Sequence, residues 1–382
     1  VLRAKINMSS PNMLMRDPVI YRAMETKHHR TGNSWKIYPM YDWTHGESDY
    51  IEQVSHSLCT LEFEPHRELY DWFLDSISPL KGIRPKQREF SRLNLSYTIT
   101  SKRNLAKLVE EGVVEGWDDP RMPTISGLRN RGYTPESLKS FALTVGISKR
   151  ENVIDVSLLE FCVRTHLNEE APRAMAVLDP LKISIINYNE NKEESVNFDI
   201  NPQKPGQGKR EILFSKNIYI EREDFQENPE EGFFRLSPGE EVRLKNAYII
   251  KAKNIIKNEE GQITEVECEY DEKSKSGSNT EESNRKVKAT IHWVSAETAV
   301  EATINIYDRL FKVPEPGKSQ DLLSEVNENS LEIKTAKVEP YLASSEDGDH
   351  FQFQRSGYFV RTNNKKTLEF NKTVGLRDGW KK

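Results

Sequence analysis

Ser101 and Lys102 close the run REFSRLNLSYTITSKR, Arg88 to Arg103. An extended apolar stretch leads into the pair, which predicts a short loop where an ammonium on a flexible stem can meet a phosphate. Taken alone, a serine beside a lysine is usually a solvated turn, so its surroundings decide its meaning. Trp117-Asp118-Asp119-Pro120-Arg121 offers adjacent carboxylates of the kind used for acid–base work or a metal. Beside a proline such a pair is expected to cap the following helix instead. Gly112, Gly116, Gly127 and Gly132 lack the spacing of a phosphate-binding fingerprint. Cys59, Cys162 and Cys268 form no CxxC and no regular framework, which predicts reduced, buried thiols and no metal site.

The elements that must position these residues punctuate themselves. Leu69, Trp72, Phe73 and Ile77 recur at helical spacing between Pro65 and Ile77. Lys36 to Tyr41 reads as a short strand interrupted by proline, after a polar, loop-rich stretch. A helix from Lys102 to Glu111 should stop at Gly112, and another opened by Thr134-Pro135-Glu136 should stop at Gly146. Ser148 with Glu151 has the pattern of a capping box ahead of a helix carrying Leu158, Leu159, Cys162 and Val163. After about Asn168 the apolar period becomes two, as in Ile183/Ile185, Val266/Cys268/Tyr270, Val287/Ala289/Ile291/Trp293 and Ala302/Ile304/Ile306. Antiparallel β structure is therefore expected to the C-terminus, in small barrels rather than a sandwich. Glu272 to Asn284 is polar and low in complexity, which predicts a mobile hairpin tip.

Composition bounds what such a chain can be. At 382 residues it should hold two to four domains. It has no apolar run near the roughly 18 residues of a membrane span. A formal charge of −5 argues against indiscriminate coating of nucleic acid, while leaving room for a local basic face. The first residues resemble neither a secretory signal nor an Arg-rich presequence, so a cytoplasmic protein is expected.

REFSRLNLSYTITSKR together with WDDPRMPTISGLRNRGY closely resembles the catalytic loop and helical domain of class I glutamine- and glutamate-specific aminoacyl-tRNA synthetases. The resemblance implies that Lys102, with Ser101, steadies charge on the ATP phosphates during amino-acid activation. Thr100 stands where the family usually has methionine. Arg92 and Leu93 match the residues beside the catalytic loop that meet ATP. Ile37 to Phe63 resembles the second half of the nucleotide fold, where Tyr41 and His45 would hold glutamine and Phe63 lies close to the tRNA end. Cys59, in HSLCTLEF, points to the glutamine-specific branch, because a glutamate side chain would call for a cation there. The family's HIGH-type signature is not found; Val1 to Arg16 resembles a segment that follows it. This chain alone is therefore expected not to catalyse.

The β region resembles, residue by residue, the family's anticodon-binding barrels. Arg173, Arg235, Arg243, Lys245, Gln352 and Arg377 match anticodon-contacting positions. Strand alternation would put Arg243 and Lys245 on one face. Lys245 and Gln354 depart from the arginine and glutamate of some relatives, and Gly379 replaces a side chain. The implied architecture is a multidomain α/β, all-α and all-β chain. It comprises the end of an acceptor-binding insertion (1–40), the second half of a Rossmann-like catalytic domain (41–99) and a helical subdomain with the lysine loop (100–170). A proximal β-barrel (171–229 and 309–382) and a distal β-barrel (230–308) would follow. The implied partners are tRNA-Gln, glutamine and ATP with Mg²⁺, acting on a monomer. A glutamate-specific enzyme of the β-barrel branch and a non-catalytic tRNA-binding module are the competing readings.

Overall fold

A computed structural model describes residues 1–77, 81–190, 192, 194–364 and 366–377; Gly379 lies outside them. The chain divides into two compact units, residues 1–94 with 145–154, and residues 95–144 with 155–382.

The first unit begins with a three-stranded antiparallel sheet of β1 (Leu2–Arg3), β2 (Val19–Ala23) and β3 (Ile37–Pro39). Pro39 ends its strand opposite Tyr21, where its missing N–H leaves no gap in a central ladder. The helix α1 (Tyr41–Ile51) follows at once. Next come β4 (His56–Thr60), a 3₁₀ turn through Pro65, α2 (Arg67–Ser76) and β5 (Lys86–Phe90). β4 and β5 pair in parallel, the pairing that needs a crossover helix, and α2 supplies it. Leu69 and Phe73 of α2 are buried with Ala4 and Met15, and Trp43 and Trp72 pack on this cluster. Residues 145–154 join the unit through Ser91 N–H donating to the Ser148 carbonyl (2.8 Å). Ser148 is no helix cap, contrary to expectation. Its hydroxyl accepts from Arg150 N–H, and Glu151 accepts from Asn94.

In the second unit α3 (Lys102–Glu110) and α5 (Pro135–Val145) end before Gly112 and Gly146, whose φ of 67° and 69° suit glycine. Between them α4 (Ile125–Asn130) is capped by Thr124, which accepts from Gly127 N–H at 2.9 Å. The next helix, α6 (Val156–Glu170), is capped by Asp155, which immediately precedes it. Leu105 and Leu108 of α3 share a core with Phe311, Leu322 and Val326.

Two seven-stranded sheets make up the rest. One contains β8 (Pro180–Ile185), β11 (Asn217–Glu221), β12 (Glu241–Leu244), β13 (Ile249–Lys257), β14 (Ile263–Asp271), β15 (Thr290–Ile291) and β16 (Val294–Ser295), in the order β15-β12-β13-β14-β8-β11-β16. Its two ends, β15 and β16, are halves of one continuous segment, 290–295, so the sheet closes on itself as a barrel. Trp293 and Phe214 fill its core. A separate hairpin of β9 (Glu194–Asp199) and β10 (Lys209–Phe214) lines that core with Val196, Phe198 and Ile212.

The other sheet closes in the same way. It comprises β6 (Arg173–Ala174), β7 (Ala176–Val177), β17 (Val300–Tyr307), β18 (Leu331–Val338), β19 (His350–Phe353), β20 (Gly357–Arg361) and β21 (Glu369–Val374). The order is β6-β19-β20-β21-β17-β18-β7, and both ends come from 173–177. Phe351, Phe353, Phe359 and Phe370 form its core. Thus strands from 180 to 221 share a barrel with those from 241 to 295. The pairing is not purely antiparallel: β8 with β14, β12 with β15, β6 with β19, and β17 with β21 run parallel. Each parallel pair joins strands distant in sequence, where no hairpin dictates direction.

Glu272 to Asn284 is a built element. A 3₁₀ turn (Glu272–Ser274) leads to a helical turn (Glu281–Asn284) capped by Thr280. Ser274 is fully buried and accepts from Ile249 N–H at 2.8 Å. No helix among the described residues is long and apolar enough to cross a membrane.

Candidate functional site

In the first unit α1 begins at Tyr41 and carries His45 one turn later. The Tyr41 hydroxyl and His45 Nδ1 are 3.4 Å apart, and the two rings lie 5.2 Å centre to centre. Phe63 packs on Tyr41 (4.8 Å), and Tyr70 meets His45 edge-on (5.8 Å). His45 Nε2 faces the Asp49 carboxylate at 3.6 Å, which also accepts from the Ser57 hydroxyl. Ser57 and Tyr70 hydroxyls are 2.7 Å apart. Tyr41, His45 and Phe63 are thus brought together, and Asp49, Ser57 and Tyr70 form a support that sequence reasoning missed. The four-residue spacing of His45 and Asp49 was the available signal. Gly46 fits this arrangement because a Cβ there would sit 3.0 Å from the Tyr70 ring.

Cys59 is buried on β4, with its thiol against the Arg88 carbonyl at 3.8 Å. Burial, reinforced by Glu89, pushes the thiol pKa up, so it stays neutral. Burial and the nearby Cys59 raise the Tyr41 hydroxyl as well. Arg67, the cation that acts on Cys59, is matched by Glu89, which accepts from its Nε at 2.9 Å and from its Nη2. Gln87 donates to Glu89 and to the Phe63 carbonyl, both at 2.9 Å. Burial works against charge on Glu89, yet the bonds from Arg67 and Gln87 win and hold its pKa down to about 2. Arg92 pairs with Glu62 at 2.8 Å on the surface, and Leu93 is exposed beside it.

In the second unit Ser101 and Lys102 do not sit within a loop. Ser101 is the N-cap residue of α3, and Lys102 is its first helical residue. The Ser101 side chain makes no capping bond, and Thr100, Ser101 and Lys102 are all exposed. Buried Ile99 and Leu105 anchor either side of them. An ammonium with no partner among the described residues, beside open N–H groups at a helix N-terminus, is an arrangement that favours phosphate.

Asp119 is buried and its carboxylate accepts from Glu115 N–H (3.0 Å), Arg121 N–H (2.8 Å) and the Arg121 guanidinium (2.7 and 3.0 Å). It caps no helix, contrary to expectation, because the turn folds back on Arg121 first. It is equally no general acid, since Arg121 overcomes the effect of burial and keeps it ionised.

The six basic and amide positions of the barrels differ in what they offer. Arg173 is 6% exposed, with its guanidinium donating to the carbonyls of Ala171 (2.6 Å) and Asn168 (2.7 Å). It closes the end of α6 and is not presented to a ligand. Arg243 donates to the carbonyls of Ser274 (2.9 Å) and Ser283 (2.8 Å), fastening the 272–284 segment. Lys245 is half-buried, and burial, then Arg210, lowers its pKa. Gln352 stands in register with Arg173 and Tyr358, with no side-chain bond among the described residues. Arg377 borders a cavity of about 430 Å³ together with Arg131, Arg164 and Lys372.

Arg235 is held at two nitrogens, Nη1 by Glu223 and Nε by an ion-pair contact with Asp224 at 3.3 Å. The fully buried Asp224 also accepts from both terminal guanidinium nitrogens of Arg355, at 2.6 and 2.7 Å. Arg355 reaches across from the turn between β19 and β20, in the left-handed region at φ 67°, and so pins one barrel to the other. Asp224 and Arg355 are 131 residues apart, and nothing local in the sequence announces them.

Residues 1–169 match the profile described as "tRNA synthetases class I (E and Q), catalytic domain", and residues 171–271 and 290–362 match two anti-codon binding domains of the same class. The chain belongs to the class I synthetases for glutamate and glutamine. Among the similar proteins are those named glutamine–tRNA ligase in Cronobacter sakazakii, Enterobacter sp. (strain 638) and Salmonella newport. Each is 52% identical over 384 residues, covering all of this chain and 68% of its own length. A synthetase of this class uses ATP and binds tRNA. Within it Tyr41, His45, Cys59, Phe63 and Lys102 fall in the catalytic region. Arg173, Arg235, Arg243 and Lys245 fall in one anticodon-binding region and Gln352 in the other.

Proposed function

We propose that this synthetase is glutamine-specific and serves ATP-dependent attachment of glutamine to tRNA-Gln. The observation that carries the choice of amino acid is the wall around Cys59. The thiol is neutral and Arg67 is already matched by Glu89, so neither offers an uncompensated cation to a glutamate carboxylate. A neutral amide can instead bond to Tyr41 and His45. The names of the relatives support the same choice.

In this reading the glutamine carboxylate attacks the α-phosphorus of ATP, giving glutaminyl-adenylate and pyrophosphate. A terminal ribose hydroxyl of the tRNA then attacks the acyl carbon and releases AMP. Lys102, assisted by Thr100 and Ser101 at the start of α3, steadies the shifting phosphate charge. Arg92 and Leu93 meet the nucleotide. Mg²⁺ accompanies the ATP phosphates; the described residues hold no group of three His, Cys, Asp or Glu that could cage it, and no step here runs through it. Arg235, Lys245, Gln352 and Arg377 face the anticodon loop, while Arg173 and Arg243 shape the surface from within. Residues 1–40 belong to the acceptor-binding insertion, 41–99 to the catalytic domain and 100–170 to the helical subdomain. The protein acts as a cytoplasmic monomer.

The test is amino-acid-dependent pyrophosphate exchange in the presence of tRNA, with the protein at its full encoded length. Glutamine should support exchange and glutamate should not. Lys102→Met should lower kcat about 100-fold or more while changing the KM for glutamine little. Exchange driven equally by glutamate would overturn the reading.

A further inference from the structure

Phe234 is 63% exposed, although the residues on either side of its loop are anchored. Gln226 N–H donates to the Leu236 carbonyl (3.1 Å) and Leu236 N–H to the Asp224 carbonyl (3.0 Å), closing the base of the loop. Inside it, Phe233 N–H donates to Glu230 (3.0 Å), and Lys257 ties down Glu227. Leu236 is fully buried. The loop is therefore fixed, and the ring of Phe234 is held out into solvent by a closed frame.

Arg235, the following residue, has its Nε in ion-pair contact with Asp224 and its Nη1 bonded to Glu223, leaving Nη2 unbonded among the described residues. Consecutive residues of a fixed loop thus carry an exposed apolar ring and a guanidinium with one open nitrogen, steadied by two carboxylates. An exposed aromatic costs solubility and gains nothing within this fold. Paired with an oriented arginine, it suits an unstacked nucleotide, whose π-face takes the ring and whose base edge or phosphate takes Nη2.

We infer that Phe234 is a stacking platform for one unpaired nucleotide of the anticodon loop, working with Arg235. This rests on the reading that the barrels bind tRNA, and the experiment separates the two. Anticodon stem-loop RNA carrying 2-aminopurine at each loop position in turn is titrated into the full chain. One position should be quenched on binding, and Phe234→Ala should abolish that quenching and weaken binding by about 5- to 100-fold. Phe234→Trp should preserve both. Because no charge is removed, the slope of affinity against salt should be the same for wild type and Phe234→Ala. Wild-type binding with Phe234→Ala indistinguishable from it would overturn the inference alone. Failure of the wild type to bind any stem-loop would overturn the tRNA reading beneath it.

Discussion

Replacing Asp224 by asparagine keeps the shape of a buried side chain and removes its charge. In the wild type that carboxylate is fully buried and takes two bonds from Arg355, at 2.6 and 2.7 Å, and a weaker contact from Arg235 at 3.3 Å. A hydrogen bond to a charged group contributes about 1.5–3 kcal/mol, and breaking a buried pair from one side costs about 3–5 kcal/mol. The Arg355 side chain is 31% exposed and can regain some water, and asparagine retains one acceptor oxygen, so the lower end applies. Asp224→Asn should therefore lose about 3 kcal/mol in urea unfolding followed by circular dichroism. The loss should shrink to under about 1 kcal/mol in an Arg355→Met background, where the stranded cation is gone. Affinity for tRNA should fall as well, since Arg235 loses its guide. A loss below about 1 kcal/mol in the wild-type background, or an equal loss in both backgrounds, would refute the claim that this pair clamps the barrels.

Two further outcomes follow from the buried titratable groups. Glu89 has its pKa lowered to about 2 in the folded protein, against an ordinary carboxylate value near 4.5, so its contribution to stability is complete above that value. It is lost as pH falls through about 2. Amide protection of β4 and β5, corrected for intrinsic exchange, should decline across that window, and Glu89→Gln should flatten the decline. Cys268 is pushed up to about 12 by burial, leaving roughly one thiolate in ten thousand at pH 8. Together with buried Cys59 and Cys162 it should resist an aromatic disulfide reagent in the native protein, with all three thiols reacting in denaturant. Rapid labelling of Cys268 without denaturant would contradict the barrel core.

The helices were legible because the chain marks their ends. Gly112 and Gly146 stop α3 and α5 where a positive φ is required, and Pro135 opens α5. Alternation foretold the burial of Ile183, Ile185, Val266 and Cys268. It could not tell neighbours apart, because a period of two reports a face and not a partner, and so the parallel pairs and the closure through 290–295 were hidden. Two capping signals competed before α6, and the residue immediately preceding the helix, Asp155, won over Ser148. Arg173 reads as one more surface cation until the carbonyls at the end of α6 converge on it. The polar run 272–284 looked mobile because composition says nothing of hydroxyls that close their own turns and of an arginine, Arg243, fixed across them. At the candidate site, the resemblance supplied Tyr41, His45 and Lys102, whereas the frame of Asp49, Ser57 and Tyr70 depends on contacts between elements.

On the function proposed above, the two closed barrels read the anticodon of tRNA-Gln. The most direct test is equilibrium binding of the 382-residue chain to tRNA-Gln, to anticodon-substituted variants and to tRNA-Glu across a salt series. A preference for the glutamine anticodon that survives higher salt is the predicted result. Weak binding that ignores the anticodon and vanishes with salt would contradict it, because phosphate attraction alone would then account for all the affinity.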